Sequence, residues 1–126
     1  MSTGQIGFNE PGSPRNSRTR TVILDSITRR DAAGGFFGEE NVPLQAITMG
    51  VGSILRARKI IIMALGEHKA PIVRKAVEEG VSEAVTASYL QTHRNAIFAL
   101  DEAAAGDLTA TRTPWLVGQV NWNPTM

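Results

Sequence analysis

The run Lys59-Ile60-Ile61-Ile62-Met63-Ala64-Leu65, closed by Gly66, constrains the fold of this chain more than any other stretch. It is continuously apolar, without the alternation that lets one face of a strand meet water. Such a strand is covered on both sides, as in parallel sheets packed between helices. The following segment agrees. Residues 67–79 predict a helix with Ile72, Val73, Ala76 and Val77 on one face. Pro71 falls in its first turn, where a missing N–H is tolerated, and Gly80 suits its C-terminal cap.

The same alternation runs through the chain. Thr21-Val22-Ile23-Leu24 predicts a buried strand, followed by a helix capped at Asp25 or Ser26 that reaches Ala33 and stops at Gly34-Gly35. Ala46-Ile47-Thr48-Met49 predicts a second strand. Gly50-Val51-Gly52-Ser53 then turns into a short helix over 54–58. Residues 85–92 predict a helix, 95–100 a strand, and Asp101 caps a helix over 102–108. Strands alternating with helices predict the α/β class, in three layers, with a mostly parallel sheet and helices on both faces. The 126 residues fit one domain. Residues 1–20 read as a site loop, 21–108 as the α/β body, and 109–126 as a tail that holds Trp115 and Trp122.

Composition narrows the function classes. There is no cysteine, which removes disulfides, thiolate metal sites and a cysteine nucleophile, and fits a cytoplasmic location. A net charge of +1 argues against nucleic acid or an anionic membrane as the main partner. No apolar run approaches the roughly 20 residues of a membrane span. His68 and His93 are too isolated for a metal site, so no metal is expected.

Four features carry chemistry. Gly4-Gln5-Ile6-Gly7-Phe8-Asn9-Glu10-Pro11-Gly12-Ser13 is a glycine-rich turn that ends in a carboxylate and a Pro-Gly stop. Glu10 there fits a general acid–base group, its orienting partner, or a loop carboxylate that accepts backbone hydrogen bonds. A loop of this kind normally follows a strand, so the chain reads as the back half of a larger domain. Lys69, beside a helix start after the longest strand, fits either a phosphate site or a solvated lysine. Gly50-Val51-Gly52 lacks the rest of a dinucleotide fingerprint and is better read as tight packing. Arg15, Arg18 and Arg20 fit an anion site or a solvated loop face.

Taken in order, these pieces resemble the glucosamine-6-phosphate deaminase (isomerase) family. The matching stretches begin with residues 4–13, Ser17-Arg18-Thr19-Arg20 and Phe36-Phe37, and continue through Val42-Pro43 and residues 46–52. Leu65-Gly66-Glu67-His68-Lys69-Ala70, Val77-Glu78-Glu79-Gly80 and Leu90-Gln91-Thr92-His93 complete them. The Phe-Asn-Glu-Pro core is specific to the deaminase branch. The related phosphogluconolactonases share the fold and differ there. Residues 113–118 look like a bacterial subgroup with a longer, multidomain chain. The resemblance implies a Rossmann-like domain whose N-terminal half is missing. It also implies conversion of glucosamine 6-phosphate and water to fructose 6-phosphate and ammonia in amino-sugar catabolism, without a cofactor. The implied partners are a sugar phosphate and either a homo-oligomer or the missing half.

The resemblance assigns residues as well. Glu10 matches the orienting glutamate and Lys69 the phosphate-binding lysine. Gln5 falls at the ring-opening histidine and Thr3 at the first aspartate. Gly35 falls near a phosphate-binding arginine. Ser13 and Arg20 match an allosteric sugar-phosphate site, but Val22 or Ile23 stands where that site has a lysine. A glutamine has no proton to exchange near neutral pH, and a positioned acid–base group contributes about 10²–10⁴-fold. The expectation is therefore a deaminase-type domain inactive as this chain, or a sugar-phosphate-binding module without catalysis. With its N-terminal strands missing, the sheet is expected to expose an edge or an apolar face.

Overall fold

A computed structural model describes residues 3–116. Met1, Trp122 and the end of the 113–118 motif lie outside the described residues. β1 (Arg20–Ile23) pairs antiparallel with β2 (Gln45–Thr48), Arg20 opposite Thr48 and Ile23 opposite Gln45. β3 (Ile60–Ala64) pairs parallel with β4 (Ala96–Leu100), Ile60 opposite Ala96 and Ala64 opposite Leu100. The helices are α1 (Ser26–Ala32), α2 (Val51–Leu55), α3 (Ala70–Glu78) and α4 (Thr109–Arg112), with 3-10 turns between them. The α/β class is thus as the sequence indicates, and β3 is the apolar run that announced it. Parallel pairing among the described residues is confined to β3 and β4. The segment 24–44 returns the chain to the end it left, and Leu24 N–H donates to the Leu44 carbonyl at 2.9 Å, which makes the first pair antiparallel.

Local chemistry accounts for most element boundaries. Asp25 caps α1, its side chain accepting from Thr28 N–H at 2.7 Å. α2 starts at Val51, earlier than the glycines suggest, with Gly50 as its cap. Residues 67–69 form a 3-10 turn ahead of α3, closed by Lys69 N–H on the Gly66 carbonyl at 3.1 Å.

Two expected helices differ. Residues Thr86–Thr92 are a 3-10 helix buried from Thr86 to Leu90. Ala87 N–H there donates to the Gly4 carbonyl (2.9 Å), a tertiary bond in place of an α-helical one. Residues 102–108 are successive turns. Asp101 does cap them, accepting from Ala104 N–H at 2.8 Å, but Gly106 and Leu108 bond three residues back and no α-helix propagates.

The core is Ile6, Val51, Ile60, Ala76, Ala87, Tyr89 and Leu90, flanked by Ile62, Phe98 and others. Ile6 anchors the glycine-rich loop in this cluster. α3 and the 86–92 turn cover the side of β3 that carries Ile60 and Ile62. Ile61 and Met63, on the other side, are 58% and 69% exposed. Among the described residues one face of the parallel pair is covered and the other is open.

Candidate functional site

The glycine-rich loop is fixed from inside. Gly4 has φ +70, and a Cβ there would lie 2.7 Å from Ile72 Cγ1 and 2.8 Å from Val85 Cγ1. Only glycine allows this backbone so close to α3. Asn9 is fully buried. Its amide donates to the Ile6 carbonyl (2.8 Å) and the Met49 carbonyl (2.7 Å), and its oxygen accepts from Arg20 Nη1 (2.9 Å). Two buried threonines complete the clamp. Thr86 Oγ1 donates to the Asn9 carbonyl (2.7 Å) and accepts from Ile6 N–H (3.2 Å). Thr48 Oγ1 accepts from Phe8 N–H (3.0 Å).

This frame sets the candidate residues. Gln5 is buried, and its amide oxygen accepts from the hydroxyls of Thr3 (2.6 Å) and Thr28 (3.3 Å) while its nitrogen donates to the Gly7 carbonyl (3.3 Å). Lys69 is half-buried at the turn that enters α3. Gln5 and Lys69 line one groove of about 60 Å³, with Met63, Ile72 and Phe98 among its walls. The groove opens beside the end of β3, where α/β sheets bind ligands. Glu10 is not part of that wall. Its Oε1 accepts from Asp25 N–H at 3.0 Å, which ties the loop to the start of α1. Ser13 and Arg20 are brought together, Arg20 Nη2 donating to Ser13 Oγ at 3.2 Å. Arg20 Nη1 also donates to the Arg18 carbonyl at 3.2 Å. Val22 is half-buried and Ile23 is 74% exposed. Gly35 lies in a 3-10 turn where an added Cβ meets nothing within 4 Å.

No family model matches the chain. Curated relatives do. A glucosamine-6-phosphate deaminase-like protein of Bacteroides thetaiotaomicron is 48% identical over 120 residues, 95% of this chain and 18% of that one. Glucosamine-6-phosphate deaminase of Lacticaseibacillus paracasei is 47% identical over 106 residues, 84% of this chain and 45% of that one. A solved monomeric glucosamine-6-phosphate deaminase superposes with a TM-score of 0.82 at 39% identity, over 85% of this chain and 44% of that one. Over most of its own length the chain is similar to part of the glucosamine-6-phosphate deaminases. It spans less than half the length of these relatives. The 6-phosphogluconolactonase of Trypanosoma cruzi, at TM-score 0.64 and 19% identity, shares the fold.

Within this family fold, Asp101 stands out at the end of β4. Both its oxygens accept from Gly66 N–H at 3.1 Å, and Oδ1 also accepts from Ala104 N–H. The Ala104 bond, and next the Gly66 bond, hold the carboxyl below its ordinary value of 3.8. Glu78, at the end of α3, is opposed by partial burial. Bonds from the Thr109 hydroxyl and N–H and the Arg74 charge outweigh that and lower its pKa. Burial raises the Tyr89 phenol, Glu83 adds to the rise, and Arg15 offsets part of it. Among the described residues no group of three or more His, Asp or Glu could hold a metal, and no helix is long and apolar enough to cross a membrane.

Sequence reasoning named Gln5, Lys69 and Glu10 but missed the groups that hold them. Thr28, Thr48 and Thr86 are distant in sequence and carry no periodic signal, and Asn9, inside the motif, shows its role only through its bonds to Ile6, Met49 and Arg20. Asp101 was visible only as a helix cap.

Proposed function

We propose that this chain is part of an amino-sugar-phosphate deaminase domain, carrying one wall of its substrate site. We propose further that the chain alone does not convert glucosamine 6-phosphate and water to fructose 6-phosphate and ammonia. The observation that supports this reading is the groove shared by Gln5 and Lys69. An ammonium at its mouth suits a substrate phosphate. The Gln5 amide stands where family resemblance puts the ring-opening histidine. It is neutral, and its oxygen and nitrogen are already hydrogen-bonded. It can hold a sugar hydroxyl but cannot shuttle a proton. Glu10, bonded to Asp25 N–H, has no imidazole to orient.

The purified chain incubated with glucosamine 6-phosphate should release no ammonia above background, and turnover near the rate of a full-length relative refutes the proposal. Calorimetry with the same ester should show binding that weakens roughly tenfold or more in Lys69→Ala, since a charge-assisted contact to phosphate is lost. The bonded state of Gln5 favours a second reading, a sugar-phosphate-binding module without catalysis. The Gln5→His variant, mixed with the remaining part of a full-length relative's domain, separates the two. Ammonia release supports an incomplete enzyme, and binding without release supports the module.

A further inference from the structure

Two hollows larger than the Gln5–Lys69 groove lie away from it. One, of about 380 Å³, is lined by Arg15, Arg18, Gly52 and Arg56 among others. The second, of about 320 Å³, is lined by Arg15, Arg56, Arg58, His93 and Arg94 among others. They share Arg15, Leu55 and Arg56, so they form one continuous depression. Five arginines from three separate segments converge on it. None of the chain's twelve Asp and Glu residues lines either hollow. The ion pairs among the described residues involve Arg30, Arg74 and Arg112, and none of these five.

The three segments are cross-linked. Arg15 donates to Thr92 Oγ1 at 3.1 Å. Asn95 Nδ2 donates to the Arg58 carbonyl at 3.3 Å. His93 Nδ1 accepts from Asn95 N–H at 3.0 Å, so Nε2 carries the proton and donates to the Ala57 carbonyl at 2.7 Å. The 15–18 loop is pressed onto α2 by Val51 N–H on Ser17 Oγ (2.9 Å) and Gly52 N–H on the Ser17 carbonyl (2.9 Å). A Cβ at Gly50 would lie 2.1 Å from that carbonyl oxygen, and one at Gly52 3.0 Å from it. The glycine pair that resembles a nucleotide motif is what lets Arg15 and Arg18 approach Arg56.

The geometry points to a second ligand site here, for a small molecule that carries two or more phosphate groups. Five like charges in one depression repel one another, and an anion between them relieves that. Planar guanidinium groups match phosphate oxygens bidentately. Each hollow has the volume of a small-ligand site, and two adjoining hollows joined at Arg15 and Arg56 suit an anion with at least two charged ends. A long nucleic acid fits less well, since the chain's net charge is only +1 and its carboxylates lie outside the depression. The inference does not rest on the sugar-phosphate reading, because the residues do not overlap.

Calorimetry of the full chain with tripolyphosphate, orthophosphate and a short RNA tests it. Saturable tripolyphosphate binding is expected, at least tenfold tighter than orthophosphate. Arg56→Glu and Arg94→Glu, each on an exposed turn, should weaken it roughly tenfold or more. Arg30→Glu, at an exposed arginine elsewhere, should leave it unchanged. Three results overturn the proposal: no saturable tripolyphosphate binding, equal loss in Arg30→Glu, or RNA binding that tightens with length beyond tripolyphosphate. The wild-type titration decides the first even if a variant fails to fold.

Discussion

Asn9 shows how one side chain can hold a site loop. It is fully buried, donates to two carbonyls and accepts from Arg20. Asn9→Ala leaves both carbonyls and the guanidinium short of a partner, so a loss of about 3 kcal/mol is expected in urea melts. Asn9→Asp should also destabilise, because carboxylate oxygens then face the Ile6 and Met49 carbonyls. The glycines separate two physical causes. Gly50 has an ordinary φ of −69, but its Cβ would strike the Ser17 backbone at 2.1 Å, so Gly50→Ala should cost about 3 kcal/mol by overpacking. Gly12 has φ +94 and nothing within 4 Å, so Gly12→Ala should cost only about 1 kcal/mol of backbone strain. Denaturant midpoints of the two variants rank them, and equal losses contradict this account. At this scale the sequence displayed Gln5, Glu10 and Lys69 as chemistry. It gave no sign that Glu10 points at Asp25 N–H, because that contact is made across the fold.

Elements were legible where local chemistry decides them. The β3 run, the Asp25 cap of α1 and the Pro71 start of α3 lie where pattern and capping put them. The stretches 86–92 and 102–108 were misread because tertiary hydrogen bonds and Gly106 override a helical pattern. Asp101 joins two elements at this scale, tying the turn after β3 to the end of β4 through Gly66 N–H. Its folded pKa is depressed, so the unfolded chain binds the proton more readily. The stability it contributes is therefore complete above pH 3.8 and is lost as pH falls through the lower folded value. Asp101→Asn should be less stable than wild type at neutral pH, with the gap closing below pH 3.8. Urea melts across that range check the sign, and a gap that widens on acidification contradicts it.

At the scale of the whole molecule, the open face is the dominant fact. Ile61 and Met63 on β3, and Ile23 and Ile47 on the β1–β2 pair, are each more than half exposed. Apolar surface of this kind drives association. Light scattering should show the chain self-associating as its concentration rises, and Ile61→Thr with Met63→Thr should reduce this without lowering the melting temperature. Unchanged scattering in the double variant shows that association uses another surface. The chain spans under half the length of its relatives, and the pattern of β3 is that of a strand buried on both sides. Sequence alone determined the α/β class, the order of the four strands, the family resemblance and the residue types offered for chemistry, because periodicity, capping and motif order are local properties of the chain. Only the tertiary structure decided that Gln5 and Lys69 share a groove, that Glu10 stands outside it, and that five arginines meet in one depression. Those relations depend on segments far apart in sequence approaching within a few ångströms, and no local pattern encodes such a distance.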